Sequence, residues 1–83
     1  MEKTLKAVAN RRRLGIVKYL KKEGEASVGN IAHSINLSFK ATARHLAVLF
    51  AAGVLEKDQR SSFMFYRLAQ NQSDISKSII KFI

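Results

Sequence analysis

The sequence contains no cysteine, proline or tryptophan, and only four of its 83 residues are glycine. Without cysteine the chain cannot form a disulfide, and two histidines are few for a structural zinc site. A chain of this length has room for one small domain, which buries only about 60–65% of its unfolded surface. We therefore expect residues 1–83 to form a single domain that gains stability by associating with another subunit.

Long hydrophobic runs are also missing. No apolar stretch approaches the roughly 20 residues that span a bilayer, and the opening "MEKTLKAVAN" lacks the segments of a signal peptide. These absences predict a cytoplasmic protein without a membrane partner. Because 47% of the residues are hydrophobic, we expect a folded chain and not a disordered one.

Acidic residues are scarce: six Asp and Glu stand against 15 Lys and Arg, for a formal net charge of +9. Such an excess favours polyanionic partners, namely DNA, RNA or an anionic membrane surface. The chain also lacks a glycine-rich phosphate loop, a Cys/His pair and a paired-carboxylate motif. We therefore expect neither an enzyme nor a cofactor.

Hydrophobic spacing predicts a mainly α-helical chain. Residues 2–8 form a short helix, and Asn10 is placed to cap an amphipathic helix over residues 11–22. Two lysines at its end suit the negative pole of the helix dipole, and Gly24 follows as a stop.

Two helices joined by a tight turn come next. Ser27 is a cap for a short helix that runs to about Ser34, and Ser38 is a cap for a helix over about 39–52 that stops at Gly53. This arrangement is typical of a helix-turn-helix.

After Gly53 the hydrophobic period changes from 3.6 to 2. The runs "VLEKD" and "FMFYRL" are strand-like and are separated by the polar "QRSS". They predict a β-hairpin over about 54–68. A last apolar helix follows over about 74–82, with Asp74 as its cap.

The helix at 39–52 has two different faces at 100° per residue. On the side expected to pack on the domain lie Phe39, Thr42, Leu46, Leu49 and Phe50. Lys40 and Arg44 lie opposite, with Ala41 and Ala43 beside them. Small residues let a helix approach bases closely, so this face fits a major groove, with Ser38 at a phosphate. The alternative is that the two cations only keep an exposed face soluble.

The hairpin tip carries basic and hydroxyl groups suited to a phosphate backbone or a minor groove. The candidate residues are Lys57, Arg60, Ser61 and Ser62. A solvated turn with incidental charge is the alternative. We expect the nearby aromatic residues Phe63, Phe65 and Tyr66 to pack within the strand and not to stack on bases.

These residues together resemble the ArsR/SmtB-like winged-helix repressors of bacteria and archaea. "RRRLGIVKYL" resembles that family's "R-L-x-I-L-x-x-L" helix, and residues 27–57 resemble its "L-A-x-x-L-x-L-S-x-x-x-V-S-x-H-L-x-x-L-x-x-A-G-L-V" signature. The matches in that signature are Ile31, Ala32, Ile35, Leu37, Ser38, His45, Leu46, Leu49, Ala52, Gly53, Val54 and Leu55. "FMFYRL" resembles the family's closing wing strand.

The resemblance implies a homodimer that pairs through its first and last helices on a near-palindromic operator. The candidate dimer residues are Leu5, Val8, Ile75, Ile79, Ile80 and Phe82. His45 matches a family position at the edge of the buried face, where we expect a structural or phosphate-adjacent role.

The sequence also departs from the family pattern. Many metal-sensing members carry "C-V-C" before the turn, where this chain has Ser27 and Gly29, and the last helix has no histidine. We therefore expect no metal site. Thr42 and Ala43 stand where Val and Ser are usual, so the exact base contacts do not follow from the resemblance.

The expected function is a dimeric, metal-independent regulator, most simply a repressor, that binds double-stranded operator DNA through a winged helix-turn-helix. Two alternatives remain open at this point. The same fold could hold another protein in an assembly, or the charge could serve RNA or non-specific chromatin binding.

Overall fold

A computed structural model describes residues 2–70, which form four helices and three strands. In chain order these are α1 (Glu2–Val8), α2 (Arg11–Glu23), β1 (Glu25–Ser27), α3 (Val28–Ser34), α4 (Phe39–Ala51), β2 (Leu55–Arg60) and β3 (Phe63–Leu68). The mainly α-helical, winged helix-turn-helix fold predicted from the sequence is confirmed. The helix predicted over 74–82, with the dimer residues Ile75, Ile79, Ile80 and Phe82, lies outside the described residues.

Local capping sets the helix limits. The side chains of Asn10, Ser27 and Ser38 each accept a hydrogen bond from a backbone N–H two or three residues later, which satisfies groups that the first turn leaves unpaired. Gly24 and Gly53 follow α2 and α4 with φ of 88° and 78°, a left-handed region that only glycine adopts without strain. The predicted starts and stops are therefore correct to within about a residue.

The sheet has three antiparallel strands in the order β1-β3-β2, where the sequence predicted only a hairpin. The additional strand β1 pairs with β3 through the register Glu25↔Arg67, Ala26↔Tyr66 and Ser27↔Phe65. Three residues are too few to show a two-residue period, so the pattern could not predict it. The first hairpin strand extends further than predicted, because Gln59 and Arg60 belong to β2, whereas β3 has the predicted bounds. Only Ser61 and Ser62 remain as the turn.

The core lies where α2, α3 and α4 meet the sheet. Its fully buried members include Ile16, Val17, Leu20, Ile31, Leu46, Leu49 and Val54. None of the helices described here is long and apolar enough to cross a membrane.

Two aromatic residues of α4 differ from the prediction. Phe39 and Phe50 were expected in the core but are 62% and 39% exposed. Both lie at the ends of the helix: Phe39 is its first residue, and Phe50 belongs to its last turn.

The two candidate dimer residues of α1 have different environments. Val8 was expected at a dimer interface, but its side chain is buried in the protomer's own core, where it packs with Ala7. Leu5, by contrast, is 42% exposed. Of this pair, Leu5 is therefore the residue available to a second subunit.

Candidate nucleic-acid interface

Helix α4 presents a basic, small-residue face to solvent because its other side is fixed in the core. Thr42, Leu46 and Leu49 are fully buried, so the rotation of the helix is set. Lys40 and Arg44 are exposed on the opposite side, as predicted, and neither makes an ion pair with a described residue. Both cations are therefore available to an anionic partner.

The turn before α4 is held by a residue of α2. The Arg12 guanidinium Nη1 donates to the backbone carbonyls of Ile35 and Asn36 at 3.2 and 3.5 Å. Asn36 has a φ of 54°, so the chain reverses sharply here. These bonds satisfy carbonyl groups at the end of α3. By fixing the turn, Arg12 helps to set the direction of α4.

A second arginine joins three helices. Arg13 Nε donates to His45 Nδ1 at 3.2 Å, and its Nη1 approaches the Lys6 and Ala7 carbonyls at 3.4 Å. Because a guanidinium cannot accept a hydrogen bond, His45 Nδ1 must carry no proton. Of the two roles expected for His45, this contact supports the structural one, since the ring links α4 to α2 and α1.

The pKa of His45 is lowered from its ordinary value. Burial is the main cause, and repulsion from Arg13, Arg12 and Arg44 adds to it. Protonation of Nδ1 would also replace the bond from Arg13 with a contact between two cations. The folded protein therefore favours a neutral imidazole.

This shift predicts a pH dependence of stability. The unfolded chain binds a proton at His45 near pH 6.5, whereas the folded chain resists it, so the free energy of unfolding should fall as the pH drops below about 6.5. Urea titrations at a series of pH values measure how the free energy of unfolding changes with pH. His45→Gln should make this change smaller. The control His33→Gln, at an exposed site on α3, should leave it unchanged. Glu25, whose pKa is lowered from 4.5, contributes only at more acid pH. Equal slopes in the wild type and His45→Gln would contradict the prediction.

The wing cation Arg60 is not free, in contrast to the phosphate-binding role predicted for it. Its guanidinium forms two hydrogen bonds to the Glu25 carboxylate at 2.6 and 2.7 Å and one to Asp58 at 2.9 Å. It also lies over the Phe65 ring, 4.9 Å from the centroid. Hydrogen bonding to Arg60 is the main cause of the lowered pKa of Glu25. Arg60 therefore ties the wing to β1, and two carboxylates offset its charge.

The other predicted wing residues are exposed. Ser61 and Ser62 form the turn at the tip, and Ser61 has a φ of 58°. Lys57 lies with its Nζ 4.3 Å from the centroid of the Phe50 ring, which directs the side chain along the surface between α4 and the wing. Of the predicted wing residues, Lys57 thus offers a cation without a carboxylate partner among the described residues, and Ser61 and Ser62 offer two hydroxyl groups to an anionic partner.

Sequence reasoning missed the roles of Arg12 and Arg13, although a signal existed. Positive charges in the first turn of a helix oppose its dipole, so a run of arginines directly after the cap calls for partners elsewhere in the fold.

The residues at the two positions where many metal-sensing members of the resembled family carry cysteine do not fit a metal. Ser27 uses its hydroxyl to cap α3, and Gly29 has no side chain. Within residues 2–70, no three His, Cys, Asp or Glu side chains converge on a common point.

The elements α3, α4 and the β2–β3 wing define a winged helix-turn-helix domain. The chain belongs to the bacterial regulatory proteins of the arsR family, whose sequence profile matches residues 10–57, more than half of its length. It is 37% identical over 68 residues to the transcriptional activator HlyU of Vibrio cholerae and 33% identical over 63 residues to the arsenic resistance regulator ArsR1 of Pseudomonas putida. These matches cover 82% and 76% of the chain but only 62% and 49% of the two relatives.

Solved structures agree with this assignment. The reduced form of Vibrio cholerae HlyU superposes with a TM-score of 0.83 at 34% identity, over 98% of this chain and 81% of that one. The homodimeric winged helix-turn-helix DNA-binding domain of Mb0332 from Mycobacterium bovis also gives 0.83, at 26% identity, over 98% of this chain and 71% of that fragment. The family and its named members are regulators and not enzymes, as the sequence predicted.

Proposed function

We propose that the chain regulates transcription by binding double-stranded DNA as a homodimer, with sequence preference and without metal. The observation that carries the proposal is the pair of exposed cations on α4, Lys40 and Arg44, which form no ion pair with a described residue. The opposite side of the helix is anchored in the core by three fully buried residues, Thr42, Leu46 and Leu49. A helix fixed in this way can enter a major groove without a rearrangement of the protein, so little ordering free energy is lost on binding.

Each contact residue has a defined task in this proposal. Lys40 and Arg44 reach base edges or phosphates in the major groove, and Ala41 and Ala43 allow close approach of the backbone. Ser38, at the start of α4, lies beside a phosphate. Lys57, Ser61 and Ser62 contact the sugar-phosphate backbone from the wing.

The homodimer is supported by two observations. Leu5 remains exposed on α1, and the similar Mb0332 domain is described as homodimeric. A two-fold dimer would place its two α4 helices in successive major grooves about 34 Å apart. The operator is then a near-palindrome with half-sites one helical turn apart.

We further propose that regulation is repression, because a dimer bound over a promoter blocks polymerase without any additional contact. The relative from Vibrio cholerae is named an activator, so the sign of regulation needs its own measurement. In a promoter reporter, the selected site is placed either over the transcription start or upstream of it. Repression predicts that transcription is lost when the site covers the start.

Selection from a random duplex pool, together with sedimentation, tests the proposal. The expected result is a near-palindromic consensus bound by a particle of twice the monomer mass. A monomer that binds all sequences alike, with a steep salt dependence, would favour non-specific nucleic-acid binding. Absence of any duplex binding would favour a protein-interaction module and would overturn the proposal.

A further inference from the structure

Two aromatic side chains of the described residues stand out by their exposure. Phe39, at the start of α4, and Phe63, at the start of β3, are each 62% exposed, more than the other exposed large hydrophobic residues. The sequence predicted that both would pack. An exposed apolar pair of this kind marks an interaction surface more often than a scattered hydrophobic residue does.

The two rings line the same cleft. It has a volume of about 160 Å³ and lies between the first turn of α4 and the tip of the wing. The rest of its lining is small or apolar, formed by Ser27, Val28, Gly29, Ser62 and Met64. None of the described residues that line the cleft carries a carboxylate, and Lys40 follows Phe39 directly in the chain. The charge of the surroundings therefore suits an anionic partner with apolar groups of its own.

Duplex DNA has both properties, and the cleft adjoins the surface proposed to bind it. The N-terminal residues of a helix in the major groove are the ones that reach base edges, and Phe39 is the first residue of α4. Phenylalanine carries no hydrogen-bonding group, but it makes apolar contact with the 5-methyl group of thymine. Phe39 lies about 100° around α4 from Lys40, outside the side that carries the two cations, but it is exposed at the end of the helix that reaches base edges. The cation side otherwise carries mainly alanine, so Phe39 is the large apolar side chain at this end that can detect an A·T pair.

We propose that Phe39 reads a thymine by packing on its 5-methyl group in the major groove. Phe63 closes the contact from the wing and lies against the sugar-phosphate strand between the grooves. Phe39 is thus a specificity-determining residue, whereas Lys40 and Arg44 mainly provide affinity. This inference rests on the proposed function, since it requires that the chain bind duplex DNA.

Deoxyuridine substitution tests the contact on the bases. Each thymine of the selected site is replaced in turn by deoxyuridine, which removes only the methyl group and leaves base pairing intact. One thymine position in each half-site should be sensitive. Replacing it in one half-site should lower the affinity of the wild type about 4-fold, which is the effect of one buried methyl group. Replacing it in both half-sites should lower the affinity about 15-fold. The measurement is fluorescence anisotropy with labelled duplexes at constant salt.

Protein variants then identify the residue. Phe39→Ala should bind the thymine and deoxyuridine duplexes equally, whereas Phe39→Leu, which keeps an apolar side chain, should still distinguish them. Phe63→Ala should weaken both duplexes and reduce the difference between them. Phe50→Ala is the matched control: it removes the same side chain from the same helix outside the cleft, and it should keep the full deoxyuridine penalty.

Three results would overturn the inference. The wild type could bind its site with no deoxyuridine penalty at any thymine, or Phe39→Ala could keep the full penalty. Alternatively, Phe39→Ala and Phe63→Ala could bind DNA normally but lose self-association in sedimentation, which would assign the cleft to an interface between copies. In all three cases the chain still binds its site, so the proposed function stands. If the wild type binds no duplex, the proposed function fails first.

Discussion

Replacing Lys40 and Arg44 together with alanine should weaken binding to the selected duplex by more than tenfold. A dimer loses four positive charges from its DNA-facing surface. The plot of log K against log salt concentration has a negative slope, and each lost phosphate contact reduces its magnitude by about 0.9. The slope should therefore become shallower by up to about 3.6 if all four cations contact phosphates, and by less if Arg44 contacts a base. Anisotropy titrations at several salt concentrations give both quantities.

A second pair of lysines provides the control. Lys18 and Lys22 have the same four-residue spacing on α2 and are also exposed, so Lys18→Ala with Lys22→Ala removes the same charge from another helix. This variant should keep most of the specific affinity. Because alanine is the best helix former and both sites are exposed, the Lys40 and Arg44 variant should change the free energy of unfolding by no more than about 0.5 kcal/mol. The control variant also loses Lys22 from the last turn of α2, where a cation suits the helix dipole, so it should lose at most about 1 kcal/mol. Equal losses in the two variants would mean that net charge, and not the face of α4, determines binding.

Where the signals were local, the sequence predicted the fold well. Asn10, Ser27 and Ser38 cap helices through atoms two or three residues away, and Gly24 and Gly53 end them through their own backbone angles. These features depend only on neighbouring residues. The limits of α2, α3 and α4 could therefore be predicted from the sequence, and with them the position of the helix-turn-helix.

Features that depend on distant contacts could not be predicted. Strand β1 exists because it pairs with β3, and Glu25 reaches Arg60, 35 residues away, only once that pairing has formed. For this reason the sequence suggested a phosphate-binding role for Arg60 but not its pairing with Glu25 and Asp58. A helical wheel likewise gives the angular position of Phe39 around the axis of α4, but it does not show whether a neighbouring element covers the side chain.

One departure from the family pattern leads to the second large effect, at Thr42. This side chain is fully buried in the core face of α4, and its Oγ1 has no hydrogen-bond partner among the described residues. Burying an unpaired hydroxyl costs about 1–3 kcal/mol. Valine, the usual residue of the family signature here, has nearly the same shape and lacks the hydroxyl, so Thr42→Val should stabilise the protein.

We expect Thr42→Val to raise the free energy of unfolding by about 1–2 kcal/mol. For a domain of this size, each kcal/mol raises the Tm by roughly 4–8 °C. Thermal unfolding should be compared at one protein concentration, because dimerisation makes Tm depend on concentration. Thr42→Ser is the matched control: it keeps the hydroxyl and loses the methyl group, so it should destabilise by about 1 kcal/mol. A lower Tm for Thr42→Val would mean that the hydroxyl is paired in the folded protein. Thr42 faces the core, whereas Lys40 and Arg44 face away from it. The stabilised variant should therefore bind DNA like the wild type. This result would separate the contribution of α4 to stability from its contribution to DNA binding.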